Sequence, residues 1–591
     1  ILANKNTKIA DYKKYAFRHG DERSQDSRLL NLRGDIYSLN KESQEKLNQL
    51  LLKEFDELKI KYEEAQLTGK PKKRILNIND INPLEPFHWG YHFDKVFARG
   101  GFDAIIANPP WETFQPDAKE FFTQYSDSVS KKKMDIKDFE IELKRLLNDQ
   151  DIQTAWLDYQ SKFNHQRQYF RFAEQYKNQV PIIDGKRHGK DINLYKLFVE
   201  RCYHLLRKGG ECGIVIPSGI YTDLGTKQLR EMLFSETEIT GLFCFENRKE
   251  IFEGVHRSFK FIILTFEKGS KTESFPTRFM RHEVTELANF PTVDDIRLDI
   301  PLIRKLSPDS LSIMEFKSEI DLQIAKKMLK FPLLGESIEN AWNLELHREF
   351  NMTDDAFLFN KQPEDGMLPL YEGKMMFHFT HTLSEPRYWI NIAKGRKAIL
   401  GKALDNSQIV GYQKYRLAYR SVASNTNERT LISTIIPASF TGNSLNVSES
   451  LSNSHQILCS SFLNSFVIDW LLRQKVTTNI NMFYIYQIPV PRLQKSDRWF
   501  DEIVERAAKL ICTTSEFDDL AKEVGLGSHH NGVTNEVERG KLRAELDGMI
   551  AHIYGITEEE FVYILTTFPI VKEPVKQAAL NAYRDLVRIL P

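Results

Sequence analysis

Cysteine is scarce: Cys202, Cys212, Cys244, Cys459 and Cys512 are the only five in 591 residues, and no two of them form a CxxC pair. That spacing disfavours both a disulfide framework and a structural zinc site, and it suits a reducing, cytoplasmic setting. Long apolar runs are missing too, the longest being short segments such as FKFIILTF at 259–266. A membrane-spanning helix, and with it a membrane partner, is therefore not expected. Net charge is zero, with 81 Lys+Arg against 81 Asp+Glu. Any contact with a polyanion must come from a local patch. There is no GxxxxGK[ST] loop, which argues against an intrinsic P-loop motor, and no internal repeat or low-complexity tract. ILANKNTKIADYKK at the start lacks the apolar core and cleavage site of a signal peptide. Beginning at Ile1 rather than Met, the sequence reads as the later part of something longer.

What is present is globular in texture. Apolar residues make up 41%, and the length predicts about four units at roughly 150 residues each. Residues 1–80 read as helical. Leu47, Leu50, Leu51, Phe55 and Leu58 recur at helical spacing and predict an amphipathic helix over 41–67. After Pro71, short apolar runs bounded by Gly and Pro announce alternating strands and helices, an α/β pattern. GFDAIIANPPW (101–111) is a strand that must stop at Asn108, because two successive prolines cannot donate to a sheet ladder. In open parallel sheets ligands lie beyond the carboxyl ends of strands, and Asn108 is delivered there. Residues 112–190 are helical and aromatic-rich, an insertion whose aromatics serve helix packing. NLYKLFVERCYHLLRKGG (193–210) is an amphipathic helix closed by Gly209 and Gly210, and the strand ECGIVIPSG follows. ITGLFCFENR (239–248) and FKFIILTFEKG (259–269) are two further strands, predicted to be antiparallel at a sheet edge. Residues 281–345 read as a connector and 346–496 as a domain of short strands. A helical C-terminal region, 497–591, contains a weakly structured polar stretch at 525–541.

The tetrapeptide Asn108-Pro109-Pro110-Trp111 carries the clearest chemistry. The exocyclic amine of adenine is a poor nucleophile because its lone pair is delocalised into the ring. A site that accepts both of its N–H hydrogens, from the Asn108 side-chain oxygen and the Pro109 carbonyl, favours a tetrahedral nitrogen with its lone pair free for a methyl group. Two prolines fix the carbonyl direction, and Trp111 offers a flat face on which an extruded base can stack. A structural turn is the alternative for NPPW taken alone.

Set after GGFDAIIA and before a second block, the tetrapeptide resembles the fourth motif of the amino-methyltransferase family of class I DNA methyltransferases, in which Asp, Asn or Ser precedes Pro-Pro and an aromatic. PFHWGYHFDKVFARGGFDAIIANPPW, GKDINLYKLFVERCYHLLRKGGECGIVIPSGIYTDLGTKQLR and FENRKEIFEGVHRSFKFIILTFEKG are similar to motifs IV, V to VI and VII to VIII of the large adenine methyltransferases of type IIG restriction-modification and phage-defence systems. LPLYEGKMMFHF, YRLAYRSVASNTNERTLISTIIP and LNSFVIDWLLRQKVTTNINMFYIYQIPVP are similar to that family's target-recognition region. The resemblance implies a partial Rossmann-like methyltransferase domain over 81–280, with the helical insertion 112–190, and a mixed α/β target-recognition domain over 346–496. It implies S-adenosylmethionine as cofactor and double-stranded DNA as partner. Asn108, Pro109, Pro110 and Trp111 would form the catalytic site, with Asn108 and Pro110 also bordering the cofactor. Phe252 would be a second aromatic against the base, with Phe259 a competitor. Asp191 and Tyr195 would lie beside the base pocket, a helix N-cap being the alternative for Asp191. The family's glycine-rich donor turn has no counterpart here: LLNLRGDIYSL (29–39) is the nearest approach and lacks the pattern. The donor half is therefore expected from an upstream domain or a partner subunit, unless the chain binds without catalysing.

Between Arg387 and Thr430 nine basic residues face two acids, Asp405 and Glu428. Arg387, Lys394, Arg396, Lys397, Lys414, Arg416 and Arg420, with Asn425 and Asn427, are the expected DNA contacts, and Tyr412, Tyr415 and Tyr419 interleave with them. No metal site is expected. Pro308-Asp309 with Glu315 and Lys317 only imitates a nuclease signature, and His378 with His381 lacks a nearby acid or thiol. Two other functions remain open: a catalytically incomplete DNA-binding specificity or scaffold subunit, and methylation of RNA or protein.

Overall fold

The apolar runs around the NPPW tetrapeptide assemble into one mixed sheet. The structure, a computed structural model, describes residues 2–19, 27–126, 129, 136–183, 186–187, 191–423, 427–476 and 479–589. They fall into two compact units rather than about four: Ile1–Pro301 with Asp309–Ser312, and Leu302–Pro308 with Ile313–Pro591.

The sheet of the first unit contains β1 (Phe102–Ala107), β2 (Leu206–Pro217), β3 (Thr237–Glu246), β4 (Lys260–Lys268), β5 (Ser274–Arg281) and β6 (Ile296–Asp299). Their order is β6-β5-β3-β4-β2-β1. β1 runs parallel to β2, and β3 parallel to β5, whereas β4 is antiparallel to both β2 and β3. Ile214, Ile216, Phe243, Phe245, Ile262 and Leu264 on its central strands are fully or almost fully buried and form its core. Among the described residues β1 is an edge strand, and its Ile106 is 93% exposed. The parallel β1–β2 pair joined through helices makes this unit α/β and Rossmann-like.

Three details correct the sequence reading. β3 and β4 are antiparallel, but β4 lies inside the sheet. The segment 274–299, expected within or beside a connector, adds β5 and β6 beyond β3. Gly209 and Gly210 do not close the preceding helix, which ends at Leu205 and passes directly into β2. A Cβ on Gly210 would sit 2.8 Å from the Phe102 carbonyl oxygen, and one on Gly101, at φ +132, would sit 2.4 Å from that of Leu205. The glycines are needed where two backbones pass closely.

The first unit's helices include α1 (Leu2–His19), α2 (Ser27–Glu57), α3 (Gln150–Phe172), α4 (Leu194–Leu205) and α5 (Lys227–Glu236). α2 starts and ends earlier than the expected 41–67. Lys59 then takes a left-handed conformation, and Lys61–Glu64 pairs antiparallel with Lys72–Ile75. In the insertion, Trp156 packs with buried Phe122 and Leu146, the helix-packing role expected for such aromatics.

The second unit has two three-stranded sheets. One orders Trp389–Asn391, Met367–Tyr371 and Phe440–Thr441, and the other places Arg416–Arg420 between Ser433–Ile436 and Leu445–Ser448. Helices follow from Asn453 to Ile589, including the almost wholly buried Asn453–Leu463 and Phe466–Arg473. The stretch 525–541 is more ordered than expected. Asn535 accepts the Val537 and Glu538 N–H groups and starts a helix over Glu536–Ile553. Among the described residues no helix is long and apolar enough to cross a membrane.

Candidate active site

β1 ends at Ala107, and Asn108 is the first residue beyond it. Asn108 and Pro110 are exposed and Pro109 is buried. The Asn108 side chain makes no hydrogen bond among the described residues, so its amide is free for a ligand. Trp111 is half-buried, and its Nε1–H donates to the Val215 carbonyl of β2 at 3.3 Å. The tetrapeptide is thereby tied to the carboxyl end of the neighbouring strand.

Three phenylalanines surround the indole. Phe259 lies nearly parallel to it, with centroids 5.6 Å apart and 12° between planes, while Phe252 meets it edge-on at 4.9 Å and 69°. Phe261 backs the group at 5.8 Å. Both candidates for the second aromatic are thus at Trp111, on the segment that joins β3 to β4. Phe261 and the Val215 carbonyl are additions that the sequence does not signal. Phe261 is one apolar position among several in its strand, and a backbone carbonyl has no side-chain signature.

The segment 192–194 is clamped onto residues 112–114, which directly follow the tetrapeptide. Phe114 N–H donates to Ile192 C=O at 2.7 Å, Leu194 N–H donates to Glu112 C=O at 3.0 Å, and Asn193 Nδ2 donates to Thr113 Oγ1 at 3.1 Å. Asn193 occupies the position before α4, so Asp191 is not its N-cap and stands exposed beside the clamp. Tyr195 is buried against the turn after β2, where a Cβ on Gly219 would lie 2.5 Å from its hydroxyl. Burial, reinforced by the Asp223 carboxylate, pushes its phenol well above the usual range. It is a neutral hydroxyl at any ordinary pH.

The basic stretch of the second unit divides. Arg387, Lys394, Lys397, Lys414 and Asn427 are exposed. Arg396 is partly buried and held by both oxygens of Asp405 at 2.7 Å, and Arg420 is partly buried as well. Arg416 must be removed from the expected DNA face. Its side chain has no exposed surface and pairs with Glu349 at 2.6 Å, because Arg416–Arg420 is the central strand of its sheet. The same burial removes Tyr412 and Tyr419, and the Tyr415 hydroxyl donates to the Glu516 carbonyl at 2.7 Å. Asn425 lies outside the described residues.

Residues 36–153 and 159–252 match the family described as Eco57I restriction-modification methylase. That span contains the NPPW tetrapeptide, the clamp at 192–194 and Phe252. No curated protein matches the chain. Among solved structures, it is similar to the type IIL restriction-modification enzyme MmeI in complex with DNA, with 11% identity, 64% of this chain and 52% of that chain covered, and a TM-score of 0.36. It is also similar to the type IIG restriction endonuclease BpuSI, with 12% identity, 66% and 52% covered, and a TM-score of 0.27. A modification subunit of a putative type I restriction enzyme from Vibrio vulnificus YJ016 matches at 12% identity over 35% of each chain, with a TM-score of 0.20. The chain spans about half the length of the first two.

Proposed function

We propose that the chain, whose residues 36–153 and 159–252 match the Eco57I restriction-modification methylase family, is the acceptor-binding part of a site-specific DNA methyltransferase acting on the N6 amine of adenine. It would serve a restriction-modification or phage-defence system. The observation that carries this reading is the free Asn108 amide at the carboxyl end of β1, three residues before the Trp111 aromatic wall.

The target adenine leaves the duplex and stacks on Trp111. Phe252 and Phe259, which pack against the indole, back this stacking wall and would help to keep water from the amine. The Asn108 side-chain oxygen and the Pro109 carbonyl accept the two amine hydrogens, which draws the nitrogen toward a tetrahedral geometry and directs its lone pair outward. No covalent intermediate on the protein and no metal is required. Of the second unit, the exposed Arg387, Lys394, Lys397 and Lys414 would meet phosphates, and Asn427 phosphates or base edges.

S-adenosylmethionine, the donor this family implies, supplies an electrophilic methyl group. Asn108 and Pro110 would border it, but the glycine-rich turn with which the family holds its adenosine and methionine parts has no counterpart in the sequence. Among the described residues the sheet stops at β1, whose open edge exposes Ile106. A donor-binding half therefore fits on that edge, from an upstream domain or a partner subunit. The same open edge favours a second reading, a specificity or scaffold subunit that binds DNA without catalysis.

Labelled methyl transfer from S-adenosylmethionine to mixed-sequence DNA by the complete native protein, followed by nucleoside analysis, separates the two. Label in N6-methyladenine supports the methyltransferase. Salt-sensitive DNA binding with no transfer supports the scaffold, and label in another nucleoside contradicts the adenine assignment.

A further inference from the structure

Asn247, the residue after β3, is completely buried. Its side-chain amide is committed to one loop. Oδ1 accepts the Phe252 N–H at 3.0 Å, and Nδ2 donates to the carbonyls of Phe252 and Val255, both at 2.9 Å. Its backbone N–H donates to the Phe259 carbonyl, also at 2.9 Å. One residue thus grips both ends of the segment that brings Phe252 and Phe259 to Trp111.

Within that segment the other restraints are local: backbone turns from Glu250 N–H to Asn247 C=O and from Phe259 N–H to His256 C=O, both at 2.9 Å, a longer one from Val255 N–H to Phe252 C=O at 3.4 Å, and exposed side-chain contacts. Gly254 is left-handed and faces open space. The Arg257–Glu250 ion pair is exposed on both sides, as is the contact between His256 and Ser258, and such surface contacts hold a loop poorly. Packing against Phe261 places the Phe252 ring, but the backbone that carries it is fixed by Asn247. A primary amide of this length is well suited to the task, since it offers one acceptor and two donors together. Aspartate keeps the acceptor and loses both donors, and it sets a carboxylate against two carbonyl oxygens. Alanine loses all three bonds and leaves the half-buried Phe252 N–H and Val255 carbonyl without partners, the Phe252 carbonyl keeping only the Val255 N–H at 3.4 Å.

We propose that Asn247 is a positioning residue for the base-stacking wall, acting through Phe252 and never touching the acceptor. The proposal rests on the reading of the NPPW site as an amine-methylating site.

Hydrogen exchange of the complete native protein, followed by mass spectrometry of the peptides covering 248–259, reads the clamp without any activity. Asn247→Ala speeds exchange there by on the order of tenfold or more, and Asn247→Asp, which keeps the Phe252 N–H bond, gives a smaller increase. In methyl transfer to mixed-sequence DNA, the same variants lower kcat in the same order, by on the order of tenfold to a hundredfold, with DNA affinity little changed. If Asn247 acts through Phe252, then Asn247→Asp adds no further loss to a Phe252→Ala protein. Should Asn247→Ala fail to fold, Asn247→Asp alone carries the comparison. Unchanged exchange overturns the clamp, and additive losses with Phe252→Ala overturn its action through that ring. A parent protein that transfers no methyl group overturns the functional reading and the catalytic half of this proposal with it. The exchange result then still decides whether Asn247 holds the loop.

Discussion

Trp111 is bonded to Val215: the indole Nε1–H donates to that carbonyl at 3.3 Å, joining the NPPW tetrapeptide after β1 to the carboxyl end of β2. The bond fixes the plane of the ring that the proposed base would meet. It also separates two functions of one side chain, a stacking face and an anchoring donor. Trp111→Phe keeps the face and loses the donor, and Trp111→Ala loses both. With base–aromatic stacking worth about 1–3 kcal/mol, kcat/KM for methyl transfer should fall furthest in Trp111→Ala and less in Trp111→Phe. Equal losses in the two variants would show that the anchor, rather than the face, is what matters.

Arg416 and Lys414 make a contrasting pair in the second unit. Arg416 is enclosed with Glu349, whose other oxygen accepts from Thr441 N–H and Oγ1 at 2.8 Å. Arg416→Ala leaves a buried carboxylate without its counter-charge and should cost about 3–5 kcal/mol of stability in denaturant unfolding. Lys414→Ala should leave stability unchanged and reduce the slope of log DNA affinity against log salt by about 1. A stable Arg416→Ala protein with weakened DNA binding would return Arg416 to the DNA face.

Asp547 gives the second unit a pH-dependent stability. Burial, with Asp469 nearby, raises its carboxyl to about 6, although Arg429, Arg543 and the Phe466 N–H pull the other way. Unfolded, it titrates near pH 4. Its contribution is therefore complete below about pH 4 and is lost as pH rises through about 6. An asparagine in its place keeps an acceptor for the Phe466 N–H, which Asp547 accepts at 2.8 Å, without the charge. The stability of Asp547→Asn relative to the parent should rise between about pH 4 and 7, by at most about 3 kcal/mol. Parallel stability profiles for the two proteins would rule this out.

Gly101 tests the close passage that sets β1 beside β2. It adopts φ +132, and an added Cβ would lie 2.4 Å from the Leu205 carbonyl oxygen and 2.7 Å from the Arg207 nitrogen. Gly101→Ala should lower stability by about 1–3 kcal/mol or more, whereas alanine at Gly69, where nothing lies within 4 Å, should cost less. Equal melting temperatures for the Gly101→Ala protein and the parent would mean that the strands can part without penalty.

The site is legible where the order of residues alone constrains the backbone. Two prolines after GFDAIIA end a strand, so the placement of Asn108 and Trp111 follows from the chain itself. The β5 and β6 strands are not legible, because SFPTRFMR and IRLD are mixed in character and contain Pro276 at a position a sheet rarely holds. Gly209 and Gly210 resemble a helix end, yet they serve a close backbone approach that depends on a partner strand about a hundred residues earlier. Arg416 reads as surface charge because its burial depends on strands on both sides and on Glu349. Asn247 carries no signal, since its role arises only when the chain turns back to it at Phe252 and Val255.

The most direct test compares the complete native protein with its Asn108→Ala variant in methyl transfer to DNA, with DNA affinity measured in parallel. The Asn108 side chain has no hydrogen bond to the rest of the described protein, so its loss should leave folding and DNA binding intact while abolishing transfer to adenine. Equal turnover by the two proteins would contradict the assignment of the NPPW tetrapeptide as the acceptor site.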